Sequence, residues 1–205
     1  MILLKNMNKQ KELWNKLAKD NSKYYVASYK GKGITKEDFI ESGREDYKNL
    51  ILNDELIEKN GIILEVGCGI GRMTQFMRYD FNKVIGIDIS GKMIQQAKER
   101  LRGAEFIETD GETIPLLSNS IDFAFSYLVF QHFKTKEMIE ANFKEVYRVL
   151  RKGGVFKILV RADKVDIGTW WGGVDCDENI AIDQGFKLMK KEKVKSYGLW
   201  LWLQK

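Results

Sequence analysis

The amino-acid sequence predicts an α/β fold built on a doubly wound, mostly parallel sheet. Apolar runs with the length of buried strands occur at residues 62–66, 83–88, 104–108, 121–127 and 154–160. Segments with the apolar spacing of helices lie between these runs, and strands that alternate with helices in this way build parallel sheets. A hydrophobic content of 44% is typical of a globular chain and argues against disorder.

The segment before the first strand is predicted to be helical. Residues 11–19 have the spacing of an amphipathic helix, Thr35 is expected to cap a short helix, and residues 45–58 are expected to form another. A tyrosine-rich stretch ends at Gly31 and Gly33, which is typical of a loop or lid.

Within the predicted sheet, helices are expected at residues 71–79, 91–101 and 135–150. The last of them is followed by Arg-Lys-Gly-Gly at 151–154, where basic residues suit the negative helix terminus and glycines suit the turn. Residues 162–180 are expected to form an irregular loop. Two terminal strands are predicted at 186–193 and 197–204.

Length and composition limit the possible classes of protein. At 205 residues the chain suits one core domain, at 61–205, preceded by N-terminal helices and a lid at 1–60. No apolar run approaches the ~20 residues that a membrane span needs, and Met1-Ile-Leu-Leu4 is too short for a signal-peptide core. The two cysteines, Cys68 and Cys176, are not expected to pair, which predicts a cytoplasmic protein.

The net charge of +5 and the pI near 9.0 raise the question of nucleic-acid binding. The lysines are spread along the chain, and the densest run, residues 190–195, includes a glutamate and is typical of an exposed edge strand. We therefore do not expect nucleic acid as a partner. We expect a monomer or a homodimer.

The loop after the first predicted strand is rich in glycine. It reads Glu-Val-Gly-Cys-Gly-Ile-Gly, and its alternate glycines, Gly67, Gly69 and Gly71, let a backbone turn sharply and approach a ligand. In the dinucleotide pattern Gly-x-Gly-x-x-Gly the third glycine comes one residue later, where this chain has Arg72. We expect Cys68 to be a small filler whose backbone N–H matters, and not a reactive thiol.

Acidic residues stand at the ends of three successive predicted strands. Glu65 precedes the glycine loop, where a carboxylate suits a ligand that carries a cation. Asp88 lies about twenty residues past the first glycine, where a carboxylate meets ribose hydroxyls; a helix N-cap with Ser90 is the alternative. Asp110 can accept from an exocyclic amine or form an Asx turn before Gly111. These three acceptors match, in order, the polar features of S-adenosylmethionine.

These motifs resemble those of class I S-adenosylmethionine-dependent methyltransferases, in the family's order. Ile85-Gly-Ile-Asp88 resembles the second motif, Asp110-Gly111 the adenine-binding turn, residues 121–127 the fourth strand and residues 149–155 the turn into the fifth. The resemblance covers residues 62–205. It implies a seven-stranded Rossmann-like sheet with a C-terminal antiparallel strand, extra N-terminal helices that cover the substrate, S-adenosyl-L-methionine as cofactor and S-adenosyl-L-homocysteine as product.

The resemblance also implies which residues contact the cofactor. Ile89 and Met93 are expected to lie partly in the core, and their position beside Asp88 makes them candidates to sandwich the adenine. Tyr127 is expected near the sulfonium. The full set of predicted cofactor-binding residues is Glu65, Gly67, Cys68, Gly69, Gly71, Asp88, Ile89, Met93, Asp110, Gly111, Glu112 and Tyr127.

Residues after the fourth strand are expected to lie near the transferred methyl group. His132, the only histidine, can act as a general base near neutral pH, or it packs beside the next helix. Arg44 is either a clamp for the cofactor carboxylate or a solvated helix residue. Four aromatic residues either wall a substrate pocket or anchor loops, namely Tyr24, Tyr25, Trp170 and Trp171.

The predicted function is transfer of a methyl group to an O, N or C atom of a small molecule by in-line displacement. The fourth strand ends in Ser-Tyr-Leu-Val, unlike the Asn/Asp-Pro-Pro-aromatic tetrad of nucleic-acid amino-methyltransferases. Because the metal-binding acid of catechol-type enzymes is also missing there, no metal is expected. The alternatives are a protein or RNA methyltransferase, a catalytically silent cofactor-binding domain, and a nucleotide-dependent oxidoreductase.

Overall fold

A computed structural model describes residues 2–163, 170, 172–194 and 198–205. Among these residues, seven strands form one sheet in the order β3-β2-β1-β4-β5-β7-β6. The strands are β1 (Ile62–Val66), β2 (Lys83–Asp88), β3 (Glu105–Glu108), β4 (Ile121–Ser126), β5 (Leu150–Arg161), β6 (Lys187–Lys193) and β7 (Gly198–Gln204). β7 runs antiparallel to both of its neighbours, and the pairs among β1 to β5 are parallel. The predicted fold class is confirmed.

Helices surround this sheet. They are α1 (Ile2–Val26), α2 (Lys36–Tyr47), α3 (Thr74–Met77), α4 (Gly91–Arg100), α5 (Lys136–Val149) and α6 (Glu178–Asp183). Short 3₁₀ turns occur at Ser28–Lys30 and Phe130–His132, and a π-helical turn at Lys48–Leu52 extends α2.

The two faces of the sheet are both covered by helices, as a doubly wound fold requires. On one face, Leu64 and Val66 of β1 join a buried cluster with Phe143 of α5. On the other face, Ile63 joins a second cluster with Met77 of α3. Successive residues of a strand point to opposite faces, so β1 contributes to both cores.

The N-terminal helices differ from their sequence prediction. α1 is much longer than the predicted 11–19, and its backbone leaves the helical region at Asn21. Thr35 caps α2 as predicted, accepting from the Asp38 N–H at 3.0 Å. Both bounds of the helix predicted for 45–58 are wrong. Its first residues are the end of α2, which begins at Lys36, and helical structure ends at Leu52. The chain then places Asp54 beside the sheet.

Other differences lie near the site and at the C-terminal end. α3 is shorter than the predicted 71–79, because the chain forms turns from residue 70 to residue 73. The segment 162–180, predicted to be an irregular loop, contains the start of α6. Asp177 caps the N-terminus of this helix by accepting from the Asn179 N–H. Residues 164–169 and Trp171 lie outside the described part of this loop. In the described part of the chain, no helix has the length and apolar character needed to cross a membrane.

Candidate cofactor and acceptor site

A cavity of about 250 Å³ opens at the carboxyl ends of the parallel strands, beneath α1. Its walls come from the ends of β1, β2 and β4, from the loops after them, and from α1. β1 lies between β2 and β4, so the direction of winding reverses there. Open α/β sheets bind ligands at this switch point.

The glycine loop needs both its conformation and its lack of side chains. Gly67 and Gly69 have φ of 77° and 55°, the left-handed region that glycine adopts at little cost. A Cβ at Gly67 would lie 2.2 Å from Val129 Cγ2, and one at Gly69 would lie 2.8 Å from Val26 Cγ2. These glycines therefore let the loop pass close under α1 and the segment after β4.

The other two residues of the loop, Gly71 and Cys68, serve the packing of the fold more than contact with a ligand. Gly71 does not line the cavity; a Cβ there would lie 2.5 Å from Leu101 Cδ1, so its place is in the packing against α4. Cys68 lines the cavity, but its thiol is buried in a cluster with Phe106. Its backbone N–H donates to the Ile87 carbonyl at 3.0 Å, so that amide is used within the fold.

Asp88 stands at the end of β2 with its carboxylate fixed from two sides. Its Oδ2 accepts from the Gly69 N–H at 2.9 Å and its Oδ1 from the Ser90 N–H at 2.8 Å. Burial raises the pKa of Asp88 to about 6, and these hydrogen bonds oppose the rise. The carboxylate thus ties the glycine loop to β2 and lines the cavity.

Glu65 is buried at the base of the glycine loop. The Thr74 hydroxyl donates to its Oε2. Burial raises the pKa of Glu65 to about 7, while Thr74 and the positive charge of Arg72 act in the opposite direction. A cationic ligand in the cavity would favour the ionised form of this carboxyl group.

Arg72 is a cation in the wall of this cavity that was not predicted from the sequence. Its side chain is 4% exposed, and its Nη1 lies 2.7 Å from Asp46 Oδ2 of α2 and 3.3 Å from the Tyr29 hydroxyl. The guanidinium also lies 6.0 Å from the centre of the Tyr127 ring. The only sequence signal was its place directly after the glycine loop.

Arg44, the predicted carboxylate clamp, lies outside this cavity. Its side chain is 61% exposed and pairs with Glu41 at 3.2 Å along the same helix. This placement is that of a solvated helix residue, which was the alternative for Arg44.

The loop after β3 closes another end of the cavity. Gly111, Glu112, Ile89 and Met93 line it, and Glu112 Oε1 is buried without a hydrogen-bond partner among the described residues. Asp110 is exposed and does not line the cavity. Its Oδ1 accepts from the N–H groups of Glu112 and Thr113, which lowers its pKa and forms an Asx turn.

Aromatic rings line the side of the cavity that lies beyond β4. Trp14 and Tyr25 of α1 are in the wall together with His132. The His132 ring lies 5.0 Å from that of Trp14 and is stacked at 5.8 Å on that of Trp170. Tyr24 packs on Trp170 without lining the cavity, and Trp171 lies outside the described residues.

His132 is buried, and burial lowers its pKa to about 3. The charges of Lys134 and Arg161 act in the same direction. The Gln10 amide donates to the His132 carbonyl at 2.8 Å and so fixes this turn against α1. The imidazole is therefore neutral and held in place, but it is a weak base in this state.

The chain also matches a protein family. Residues 64–158 match the model of the methyltransferase domain. This segment begins in β1 and ends in β5, and it contains the glycine loop, Asp88 and His132. This segment is therefore similar to known methyltransferase domains.

Two relatives named as methyltransferases share part of this sequence. Malonyl-[acyl-carrier protein] O-methyltransferase of Hamiltonella defensa subsp. Acyrthosiphon pisum (strain 5AT) is 32% identical over 124 residues, covering 60% of this chain and 47% of that protein. Phosphoethanolamine N-methyltransferase 1 of Arabidopsis thaliana is 31% identical over 172 residues, covering 76% of this chain and 34% of that protein. The chain thus spans less than half the length of either relative.

Solved structures share the fold of the methyltransferase domain. A SAM-dependent methyltransferase from Aquifex aeolicus has a TM-score of 0.62 at 20% identity, covering 80% of this chain and 97% of that one. An S-adenosylmethionine-dependent methyltransferase from Mesorhizobium loti has a TM-score of 0.61 at 17% identity, covering 80% and 96%. At these identities the likeness shows the fold alone.

Proposed function

We propose that this chain transfers a methyl group from S-adenosylmethionine to a small molecule. The observation that carries the proposal is the convergence of Glu65, Asp88 and the glycine loop on one cavity at the switch point of the sheet. Their chemistry fits the cofactor, because two carboxylates and a side-chain-free loop suit a ligand with a cationic group and a ribose.

In this proposal each end of the cavity holds one part of the cofactor. Asp88 accepts from the ribose hydroxyls, and Ile89 and Met93 pack against the adenine. Glu112 takes the place expected for Asp110 as the acceptor for the adenine amine, because Glu112 lines the cavity and Asp110 does not.

The amino-acid end of the cofactor then lies between Glu65 and Arg72. Glu65 offsets the positive charge of the amino group and sulfonium, and Arg72 binds the carboxylate in place of Arg44. When bound, S-adenosylmethionine supplies an activated methyl group, so the protein has to align the acceptor and exclude water. α1 excludes water, since Met7, Gln10 and Trp14 form the roof of the cavity.

A small-molecule acceptor suits a cavity of about 250 Å³ that α1 covers, with Gln10 of α1 bonded to the turn after β4. The relatives include an O-methyltransferase and an N-methyltransferase, so their names leave the acceptor atom open. We place the protein in the cytoplasm, as its cysteines predict, since Cys68 and Cys176 are both free buried thiols.

Titration calorimetry with S-adenosylhomocysteine tests the proposal. We expect binding of one molecule per chain with a dissociation constant in the micromolar range, and no heat with NAD at the same concentrations. NAD carries the pyrophosphate that Glu65 disfavours, so it is the matched control ligand. Absence of S-adenosylhomocysteine binding at millimolar concentration would remove the proposed function.

A further inference from the structure

Polar side chains of α5 hold the loop after β3. Asn142, Glu145 and Arg148 are spaced three residues apart, so each is a neighbour of the next on the surface of this helix. Glu145 Oε2 accepts from the Ile114 N–H at 2.8 Å, and Arg148 Nη2 donates to the Ile114 carbonyl at 2.7 Å. Asn142 Nδ2 donates to the Gly111 carbonyl at 2.9 Å. The loop that closes this end of the cavity is thus fixed by one helix.

Asn142 is the member of this set that lines the cavity. It lies at the end where the proposed function places the adenine. A Cβ at Gly111, whose carbonyl Asn142 holds, would lie 2.7 Å from Ile89 Cδ1 and 3.0 Å from Met7 Sδ. Asn142 therefore adjoins the wall that Ile89 provides for the adenine.

The orientation of the Asn142 amide is fixed by its two hydrogen bonds. Its Nδ2 donates to the carbonyl oxygens of Gly111 and Met138, both at 2.9 Å. Turning the amide over would set Oδ1 against these two oxygens and remove both bonds. Because both N–H groups of the amide are used within the fold, the atom left for a ligand is the acceptor Oδ1.

Asn142 Oδ1 is accessible from the cavity. It accepts no hydrogen bond from the described residues, yet it is not among the fully buried polar atoms that lack a partner there. Since the residue is 8% exposed and lines the cavity, this oxygen keeps surface towards the cavity. An oxygen of this kind pairs with a donor on the ligand, and an adenine joined to ribose carries N–H groups only on its 6-amino group.

We infer that Asn142 binds the 6-amino group of the cofactor's adenine through Oδ1, as a second acceptor beside Glu112. The inference rests on the proposed function and adds a residue that decides which purine the site accepts. The amine has two N–H groups, so Glu112 and Asn142 each accept from one of them. A purine with an oxo group at the same carbon would place an acceptor against these acceptors, and the hydrogen bonds would be lost on both sides.

Calorimetry with three ligands tests the inference on the unmodified protein. S-adenosylhomocysteine is compared with its 6-deamino analogue, in which hydrogen replaces the amine, and with S-inosylhomocysteine, which has an oxo group there. We expect the 6-deamino analogue to bind at least about threefold more weakly than S-adenosylhomocysteine, and S-inosylhomocysteine to bind more weakly still. Equal affinities for the three ligands would overturn the inference.

Two substitutions at Asn142 separate contact with the ligand from support of the loop. Asn142→Leu and Asn142→Asp both remove the Nδ2 group that holds Gly111, but the aspartate keeps an acceptor at Oδ1. In Asn142→Leu the preference for S-adenosylhomocysteine over the 6-deamino analogue should shrink at least about threefold. In Asn142→Asp this preference should be no smaller than in the unmodified protein.

A role in holding the loop alone would give a different result. Asn142→Leu would then weaken both ligands by the same factor and leave the preference unchanged, which would overturn the inference. Circular dichroism checks that the variants fold, and Asn142→Ala, with a residue that favours helix, is the second variant for the same comparison. Failure of S-adenosylhomocysteine itself to bind to the unmodified protein would instead remove the proposed function.

Discussion

Arg72 Nη1 lies 2.7 Å from Asp46 Oδ2, so the guanidinium at the wall of the cavity is held by a residue of α2. Tyr29 adds its hydroxyl to the same pair, donating to Asp46 Oδ2 at 2.8 Å. Arg72, which follows the glycine loop, is thus positioned by Asp46 and Tyr29 of the N-terminal segment that precedes the sheet. This side chain is one of the links between the cavity and its N-terminal cover, beside the bond from Gln10 to the His132 carbonyl.

Loss of the Arg72 charge should weaken the binding of S-adenosylhomocysteine. Arg72→Met removes a charge-assisted hydrogen bond to the ligand carboxylate, worth about 1.5–3 kcal/mol, which corresponds to roughly 10- to 100-fold in affinity. Arg44→Met is the matched control, because Arg44 is exposed and outside the cavity, and it should bind as the unmodified protein does. Equal affinities of the two variants in calorimetry would contradict the assignment.

The same substitution should weaken cofactor binding at Asp88 and leave it unchanged at Asp110. Asp88→Asn removes the charge that accepts from the ribose, and we expect affinity for S-adenosylhomocysteine to fall roughly tenfold or more. Asp110→Asn keeps an acceptor for the Asx turn on an exposed residue, so binding should stay within about twofold. A larger loss from Asp110→Asn than from Asp88→Asn would return the adenine contact to Asp110.

The strands and the acids at their ends were predictable because the signals are local. β1 and β2 have the predicted bounds, and Glu65 and Asp88 line the cavity together, since an apolar run followed by glycine or acid marks a strand end. Gly71 was predicted to contact the cofactor, but a glycine is needed there for packing against Leu101. The spacing of glycines alone does not distinguish these two needs.

The partners that fix the polar side chains were not predictable, because they are distant in sequence. The sequence around Arg72 gives no sign that its partner is Asp46. Likewise, the apolar residues around Lys157 give no sign that its ammonium is buried and paired with Asp54. The family resemblance predicted that the N-terminal helices cover the site, but not the contacts that hold them there, since Gln10 bonds to the carbonyl of His132 far along the chain.

The stability of the unliganded protein should fall as the pH rises towards neutrality. Glu65 and Asp88 hold their protons more tightly in the folded protein than in the unfolded chain, with pKa values raised to about 7 and about 6. Their contribution is therefore fully present below about pH 4 and is lost as the pH rises through 7. For Glu65 the loss is on the order of 2–3 kcal/mol, measurable by urea unfolding at pH 5 and pH 8.

The ligand should show the opposite trend, because its cationic amino group favours the ionised Glu65. Affinity for S-adenosylhomocysteine should rise roughly tenfold or more between pH 5.5 and pH 8. Glu65→Gln keeps the shape of the side chain and should flatten both the stability profile and the binding profile. Profiles that are unchanged in this variant would show that another group titrates.

A buried ion pair joins β5 to the segment that follows the π-helical turn. Lys157 Nζ of β5 lies 2.6 Å from Asp54 Oδ2, and their side chains are 4% and 10% exposed. The indole N–H of Trp202 donates to the same oxygen at 2.7 Å. Through these bonds the chain that leaves the π-helical turn is attached to β5 and β7.

Removing either charge should leave the other buried and unpaired. Lys157→Met is expected to lower the free energy of unfolding by about 3–5 kcal/mol, since the Asp54 carboxylate loses its counter-ion. Lys190→Met is the matched control: its ammonium also lies over the Trp202 ring, at 4.4 Å, but its side chain is about half exposed, and its loss should cost about 0.5 kcal/mol or less. The double variant Lys157→Met/Asp54→Asn should recover much of the loss, because no uncompensated charge then remains buried. Urea unfolding of the three variants measures this, and a Lys157→Met variant no less stable than Lys190→Met would mean that the pair contributes nothing to attaching this segment.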